Sequence, residues 1–197
     1  SDYDYELAGA EILERASDVY GKSDLIYKVK EIFPEEYKYL RKGLIVFTYI
    51  HSNAYREQTN ALLETESLGI AYEDINDEDG EFPLLKPMSI LAGKGGFLAA
   101  LNHAQKVNKG KGILLSRVDG VRTPEITIIG AGNSGLGAAE LAAAFGNKVT
   151  MLDISMNKLE KAREILPANV ELLLSNSTNV EDCIKRSDVV INCILWP

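Results

Sequence analysis

A run of buried-strand character, Ile126-Thr127-Ile128-Ile129, feeds without a break into Gly130-Ala131-Gly132-Asn133-Ser134-Gly135. A stretch dense in small residues follows: Ala138, Ala139, Ala142, Ala143 and Ala144. Strand, glycine loop and helix in that order leave a chain few folds to choose from. The first glycine permits the tight turn, the second lets a pyrophosphate approach the backbone, and the third lets helix and strand pack closely. The helix then offers its free N–H groups and partial positive charge to phosphate. Val149-Thr150-Met151-Leu152 predicts a second strand, closed by Asp153 near the roughly 20-residue spacing of the acid that hydrogen-bonds a ribose. A carboxylate there repels a 2′-phosphate, so the expected cofactor is NAD rather than NADP. The bland alternative, a glycine-rich turn beside an exposed aspartate, does not explain the whole order.

Short apolar runs alternate with helical patterns along the rest of the chain. Strands are expected at Leu25–Val29, Leu44–Thr48, Ile70–Tyr72, Ile126–Ile129, Val149–Leu152, Val170–Leu173 and Val189–Leu195. Helices are expected at Glu35–Leu40, Ala54–Glu66, Ser134–Phe145, Asn157–Ile165 and Val180–Lys185, with another at Asp4–Ala10. This alternation predicts the α/β class, with parallel sheets and right-handed crossovers. Pro87–Val107 reads as one long helix, and glycine, proline and polar residues gather after it between Asn108 and Pro124. Residues 1–107 are therefore expected to form a substrate domain ending in the bridging helix 87–107. Residues 108–197 are expected to form a Rossmann-type dinucleotide-binding domain. Ser175, just past the third strand of that domain, is a candidate cofactor contact, although a plain helix or turn cap explains it equally well.

The 197 residues carry a net charge of -8, which argues against nucleic acid. No apolar run reaches the roughly 20 residues of a membrane helix. Cys183 and Cys193 read as core thiols of a reducing compartment rather than a disulfide or metal pair, so a cytoplasmic location and no metal are expected.

Short motifs in the first half say more. Lys28-Val29-Lys30-Glu31, Phe47-Thr48-Tyr49-Ile50-His51, Ile70-Ala71-Tyr72-Glu73 and Pro83-Leu84-Leu85-Lys86-Pro87-Met88-Ser89 occur in order, and Leu152-Asp153-Ile154 follows the glycine loop. In this the chain resembles the alanine dehydrogenase and pyridine nucleotide transhydrogenase family along nearly its whole length. The resemblance implies NAD-dependent oxidative deamination of L-alanine to pyruvate and ammonia, and the reverse, by a homo-oligomer. It implies that Lys30 is a catalytic and substrate-binding lysine and His51 the catalytic acid/base. Met88 then lies at the substrate, and Ser89 at the cofactor beside Gly130, Gly132, Gly135 and Asp153. Tyr72 and Glu73 match a motif at the edge of a cleft between the domains, without an assigned role.

The residue types suit the chemistry: lysine fixes a carboxylate and histidine moves protons near neutral pH. A surface lysine and a structural histidine are the plain alternatives, and His103 reads as a partly buried helix residue. The sequence departs from the family where Ile32 stands in place of the usual proline after Lys-Val-Lys-Glu. It departs again at Ser52-Asn53 and Trp196.

A nucleotide-binding transhydrogenase subunit and a non-catalytic NAD-binding paralogue are the alternatives. The first is disfavoured because its counterpart of the Phe47–His51 stretch lacks the histidine. The chain opens on Ser1 and stops at Pro197 after an apolar run, so it is read as truncated at both ends. Its nucleotide sheet is expected to want about two of six strands. The family's segments with a substrate-binding arginine and a catalytic aspartate are expected to lie outside it.

Overall fold

The computed structural model describes residues 1–194. The chain divides into two compact units, Ser1–Leu85 and Lys86–Pro197.

The first unit holds a parallel three-stranded sheet in the order β1-β2-β3, from β1 (Leu25–Tyr27), β2 (Ile45–Thr48) and β3 (Leu68–Ala71). Two short helices, α1 (Asp2–Leu7) and α2 (Ala16–Lys22), precede it, and α3 (Arg56–Glu64) joins β2 to β3. Tyr20, Ile26, Ile32, Leu40, Leu44 and Val46 form its core, with Ala61 and Leu62 of α3 packed on it. The helix expected at Glu35–Leu40 is a tighter 3-10 turn over Pro34–Tyr39, opened by Pro34 at its first position. Proline's fixed φ suits a helix start, and the six-residue run is longer than the about three or four residues such turns commonly reach.

The second unit begins with α4 (Leu85–His103) and carries a parallel four-stranded sheet in the order β6-β5-β4-β7. Its elements are β4 (Glu125–Ile129), α5 (Asn133–Ala144), β5 (Lys148–Asp153), α6 (Met156–Ile165), β6 (Val170–Leu174), α7 (Ser177–Arg186) and β7 (Val189–Asn192). The first three strands step outward and β7 returns to the other side of β4, which is the order of a doubly wound nucleotide fold. Its core runs from Ile126, Ile128, Val149, Met151 and Val170 to Phe97 on α4 and the alanines of α5. The expected extension of β7 to Leu195 falls partly outside the described residues.

The long helix belongs to the second unit, not to the end of the first as its position before the linker suggests. Bare backbone is the reason. A Cβ on Gly93 would stand 1.8 Å from the Ser134 carbonyl oxygen, and one on Gly137 would stand 2.4 Å from that of Ile90. The two helices therefore touch main chain to main chain, and Lys94 pairs with Glu140 at 2.9 Å beside the contact. The helix ends at His103, short of Val107, and His103 is exposed rather than partly buried. Both cysteines are free, Cys183 buried and Cys193 half-buried.

Candidate functional site

In the second unit the site grows from the exit of β4. Gly130 has φ +107, a conformation L side chains rarely adopt. A Cβ on Gly135 would lie 1.8 Å from the Gly130 carbonyl oxygen, so the third glycine is what lets α5 start against the strand. Gly132 differs: nothing lies within 4 Å of where its Cβ would be, and its φ of -80 is ordinary. As the N-cap of α5 it provides no side-chain hydrogen bond. The helix thus presents uncapped N–H groups toward an open space beside Gly132, an arrangement that suits an anion.

Asp153 ends β5 beside this loop and is buried. Its Oδ2 accepts the Ala131 N–H at 2.7 Å and its Oδ1 the Ser155 N–H at 2.9 Å. The carboxylate therefore braces the glycine loop, a duty that spacing alone does not reveal. Each oxygen keeps acceptor capacity for a further donor. Ser175 follows β6 and donates its N–H to the Asp153 carbonyl at 2.8 Å, which sets it at the same edge of the sheet. The cap of α7 is Asn176, not Ser175. Met88 and Ser89 are half-buried in the first turns of α4, and Ser89 precedes the Gly93 contact by one turn.

In the first unit the candidates gather at the carboxyl edge of β1-β2-β3. The chain leaving β1 carries both lysines of the motif, and the structure separates them. Lys28 is 20% exposed, with Nζ 2.5 Å from Glu36 Oε2 and 4.7 Å from the centre of the Phe33 ring. Lys30 is 62% exposed, and its nearest carboxylate, Glu31, stands 3.9 Å away. Only the second lysine keeps its charge largely free for a ligand. The Glu31 carboxyl is held below its ordinary value, first by its own backbone N–H. Burial opposes this, and the Tyr55 hydroxyl and the charges of Lys30 and His51 add to it. Lys30 and His51 thus act on one carboxylate.

His51 lies three residues past β2, half-exposed, with φ +51. Its ring stacks on Tyr49 at 5.8 Å and 11°. Tyr49 in turn meets Tyr72 edge to face and donates its hydroxyl to the Leu84 carbonyl at 2.6 Å. Two residues brace this edge that sequence reading left without roles. Glu73 accepts the N–H groups of Ile50 and His51. Gln58 of α3, fully buried, accepts the Ile32 N–H at 2.7 Å and donates to the Ile50 carbonyl at 2.6 Å. It thereby ties the loop that carries Lys30 to the one that carries His51. The signal for Gln58 was one polar residue three and four positions before Ala61 and Leu62, on the inner face of its helix. Glu73 was signalled by its place directly after a strand and by the family motif it shares with Tyr72, neither of which gives it a role. A cavity of about 430 Å³ adjoins Glu31, lined also by Ile32, Pro34, Tyr55, Arg56 and Gln58. Neither Lys30 nor His51 lines it, so it is not where those two side chains meet.

Residues 1–92 match the family model described as Alanine dehydrogenase/PNT, N-terminal domain, and residues 97–197 match its C-terminal domain. A curated alanine dehydrogenase of Staphylococcus saprophyticus is 40% identical over 196 residues, covering 100% of this chain and 53% of its own length. One from Methanococcus maripaludis is 39% identical over 197 residues, again 53% of its length. Among solved structures, an L-alanine dehydrogenase superposes with TM-score 0.88 at 35% identity, over 100% of this chain and 54% of its own. A transhydrogenase from Sinorhizobium meliloti superposes with TM-score 0.75 at 23% identity, over 100% of this chain and 57% of that one, a likeness of fold alone. The chain spans about half the length of the curated relatives it matches.

Proposed function

The chain belongs to the alanine dehydrogenase/PNT family, and from that membership we propose that its full-length protein oxidises L-alanine to pyruvate and ammonia with NAD, and runs the reverse reaction. The observation that carries this reading is the pairing, at one sheet edge, of a largely unpartnered lysine, Lys30, with a braced histidine, His51. In the proposed scheme the Lys30 ammonium holds the substrate carboxylate, a task that suits a compact point charge. His51 takes the proton lost when the substrate ammonium becomes an amine and releases it to solvent, which returns the imidazole to its neutral form. After hydride leaves the α-carbon, His51 deprotonates the water that adds to the resulting iminium. The carbinolamine nitrogen then takes that proton from His51 and leaves as ammonia, while the carbinol O–H proton passes back to His51, which leaves the keto acid. Met88 is proposed to line the substrate.

The dinucleotide supplies the hydride acceptor when bound. The residues proposed to hold it are Gly130, Gly132 and Gly135 with the α5 N-terminus at the pyrophosphate, and Asp153 at the ribose. Ser175 and Ser89 are proposed to flank it. The open space beside Gly132 and the uncapped helix end support that fit.

The full-length protein should form NADH only when both NAD and L-alanine are present. Hydride exchange between two nucleotides without an amino acid would instead favour a transhydrogenase subunit and refute the proposal.

Asp153 is proposed to select NAD over NADP by repelling a 2′-phosphate. Asp153→Asn keeps an acceptor for the Ala131 N–H while removing the charge. Its preference for NAD, measured by calorimetry with both nucleotides, should fall about tenfold or more, or ~1.4 kcal/mol. An unmodified protein that binds both nucleotides equally would sink this assignment.

A further inference from the structure

We infer that Glu73 is the positioning residue of His51, setting both its backbone turn and the ring nitrogen that carries the proton. The inference rests on the reading of His51 as the acid/base.

The chain leaving β2 must place an imidazole at the sheet edge, and it does so through a left-handed backbone at a non-glycine residue. Such a conformation costs an L residue about 1–2 kcal/mol and persists only where its surroundings hold it. Here they do. Glu73 Oε1 and Oε2 accept the Ile50 N–H at 3.1 and 3.2 Å, and Oε1 also accepts the His51 N–H. Gln58 takes the Ile50 carbonyl, and the N–H groups of Ala54 and Tyr55 take the His51 carbonyl at 2.8 and 3.2 Å. Every backbone polar group of Ile50 and His51 is engaged.

The same carboxylate does a second thing. Oε1 stands 3.5 Å from His51 Nδ1. A negative oxygen facing Nδ1 favours the tautomer with its proton there, which leaves the Nε2 lone pair as the base. Glu73 is only 15% exposed, so solvent screens it weakly, and the Tyr49 ring backs the imidazole on one face. The other carboxylate acting near His51, Glu31, is engaged by its own N–H and the Tyr55 hydroxyl. Of the two carboxylates, Glu73 is the one with an oxygen 3.5 Å from Nδ1, and it is the group placed to set the tautomer.

Glu73→Gln separates the two duties. The amide oxygen still accepts backbone N–H groups, but the charge facing Nδ1 is gone. In the full-length protein, kcat for L-alanine should fall at least about tenfold, as happens when a carboxylate behind a histidine is neutralised. KM should stay within about threefold, and Glu73→Asp should recover part of kcat. Histidine ¹⁵N NMR, with His51 assigned from its loss in a His51→Gln variant, should show neutral His51 protonated on Nδ1. In Glu73→Gln the proton should move toward Nε2. An Nε2-protonated His51 in the unmodified protein overturns the inference without any variant, as does a Gln variant with unchanged kcat and tautomer. Unchanged turnover in a variant lacking His51 would instead overturn the functional reading and leave the tautomer result standing.

Discussion

In His51→Asn, turnover of L-alanine by the full-length protein should fall about 10²- to 10⁴-fold, the range that positioned acid–base groups contribute. Asparagine is the informative replacement because it tolerates the left-handed backbone found at this position, φ +51, far better than alanine does. The turn held by Glu73 and Gln58 should survive, and the lost rate then reports the imidazole rather than a collapsed loop. NAD affinity should change by less than about twofold, since the candidate dinucleotide residues stand in the other compact unit. Single-turnover kinetics with calorimetry separates the two effects. A variant retaining more than a tenth of the parent kcat would remove His51 from the chemistry.

Gly135→Ala should do the greatest structural damage of any one-carbon change in the loop. Its methyl group would land 1.8 Å from the Gly130 carbonyl oxygen and 2.9 Å from its carbon, both backbone atoms with no rotamer to relieve them. Either β4 or α5 must shift at its root. Overpacking of this kind costs about 1–3 kcal/mol, and more where only main chain can yield. Gly132→Ala is the matched comparison, because nothing within 4 Å opposes its methyl group. The expected pattern is a lowered Tm for Gly135→Ala and an unchanged apo Tm for Gly132→Ala. NAD affinity should fall at least about 100-fold in the first and substantially in the second, where only the bound pyrophosphate would meet the new carbon. Equal Tm losses in both variants would mean the two glycines do not divide their work this way.

Much of this architecture was legible in residue order. The strand, glycine loop, helix and Asp153 of the second unit stand within a residue or two of their expected places, because a buried parallel strand and a small-residue helix leave strong local patterns. Helix α2 went unread, since Tyr20 is its only buried residue and one apolar contact makes no periodicity. The packing of α4 is illegible in sequence for a different reason. Its anchor is Gly93 against Ser134, a contact made by absent side chains, which a hydropathy pattern does not register. The bracing roles of Glu73 and Gln58 leave no mark in the sequence because hydrogen bonds spanning 22 and 26 residues are properties of the folded edge. The distinction between Lys28 and Lys30 likewise appears only once Glu36 is seen to occupy the first.

The bond between Ile32 and Gln58 couples what can be changed at the two positions. Ile32 occupies a place where its family commonly has proline, and its N–H is what the buried Gln58 oxygen accepts. Proline has no N–H to give, so Ile32→Pro in this background would strand an amide oxygen in the interior, at about 1–3 kcal/mol. Changing Gln58 alone would strand the Ile32 N–H and the Ile50 carbonyl instead. Neither step is neutral on its own, so the two sites are epistatic. Combined in one chain, changes at Ile32 and Gln58 should therefore cost less than the sum of their separate losses, since the second removes a partner the first has already stranded.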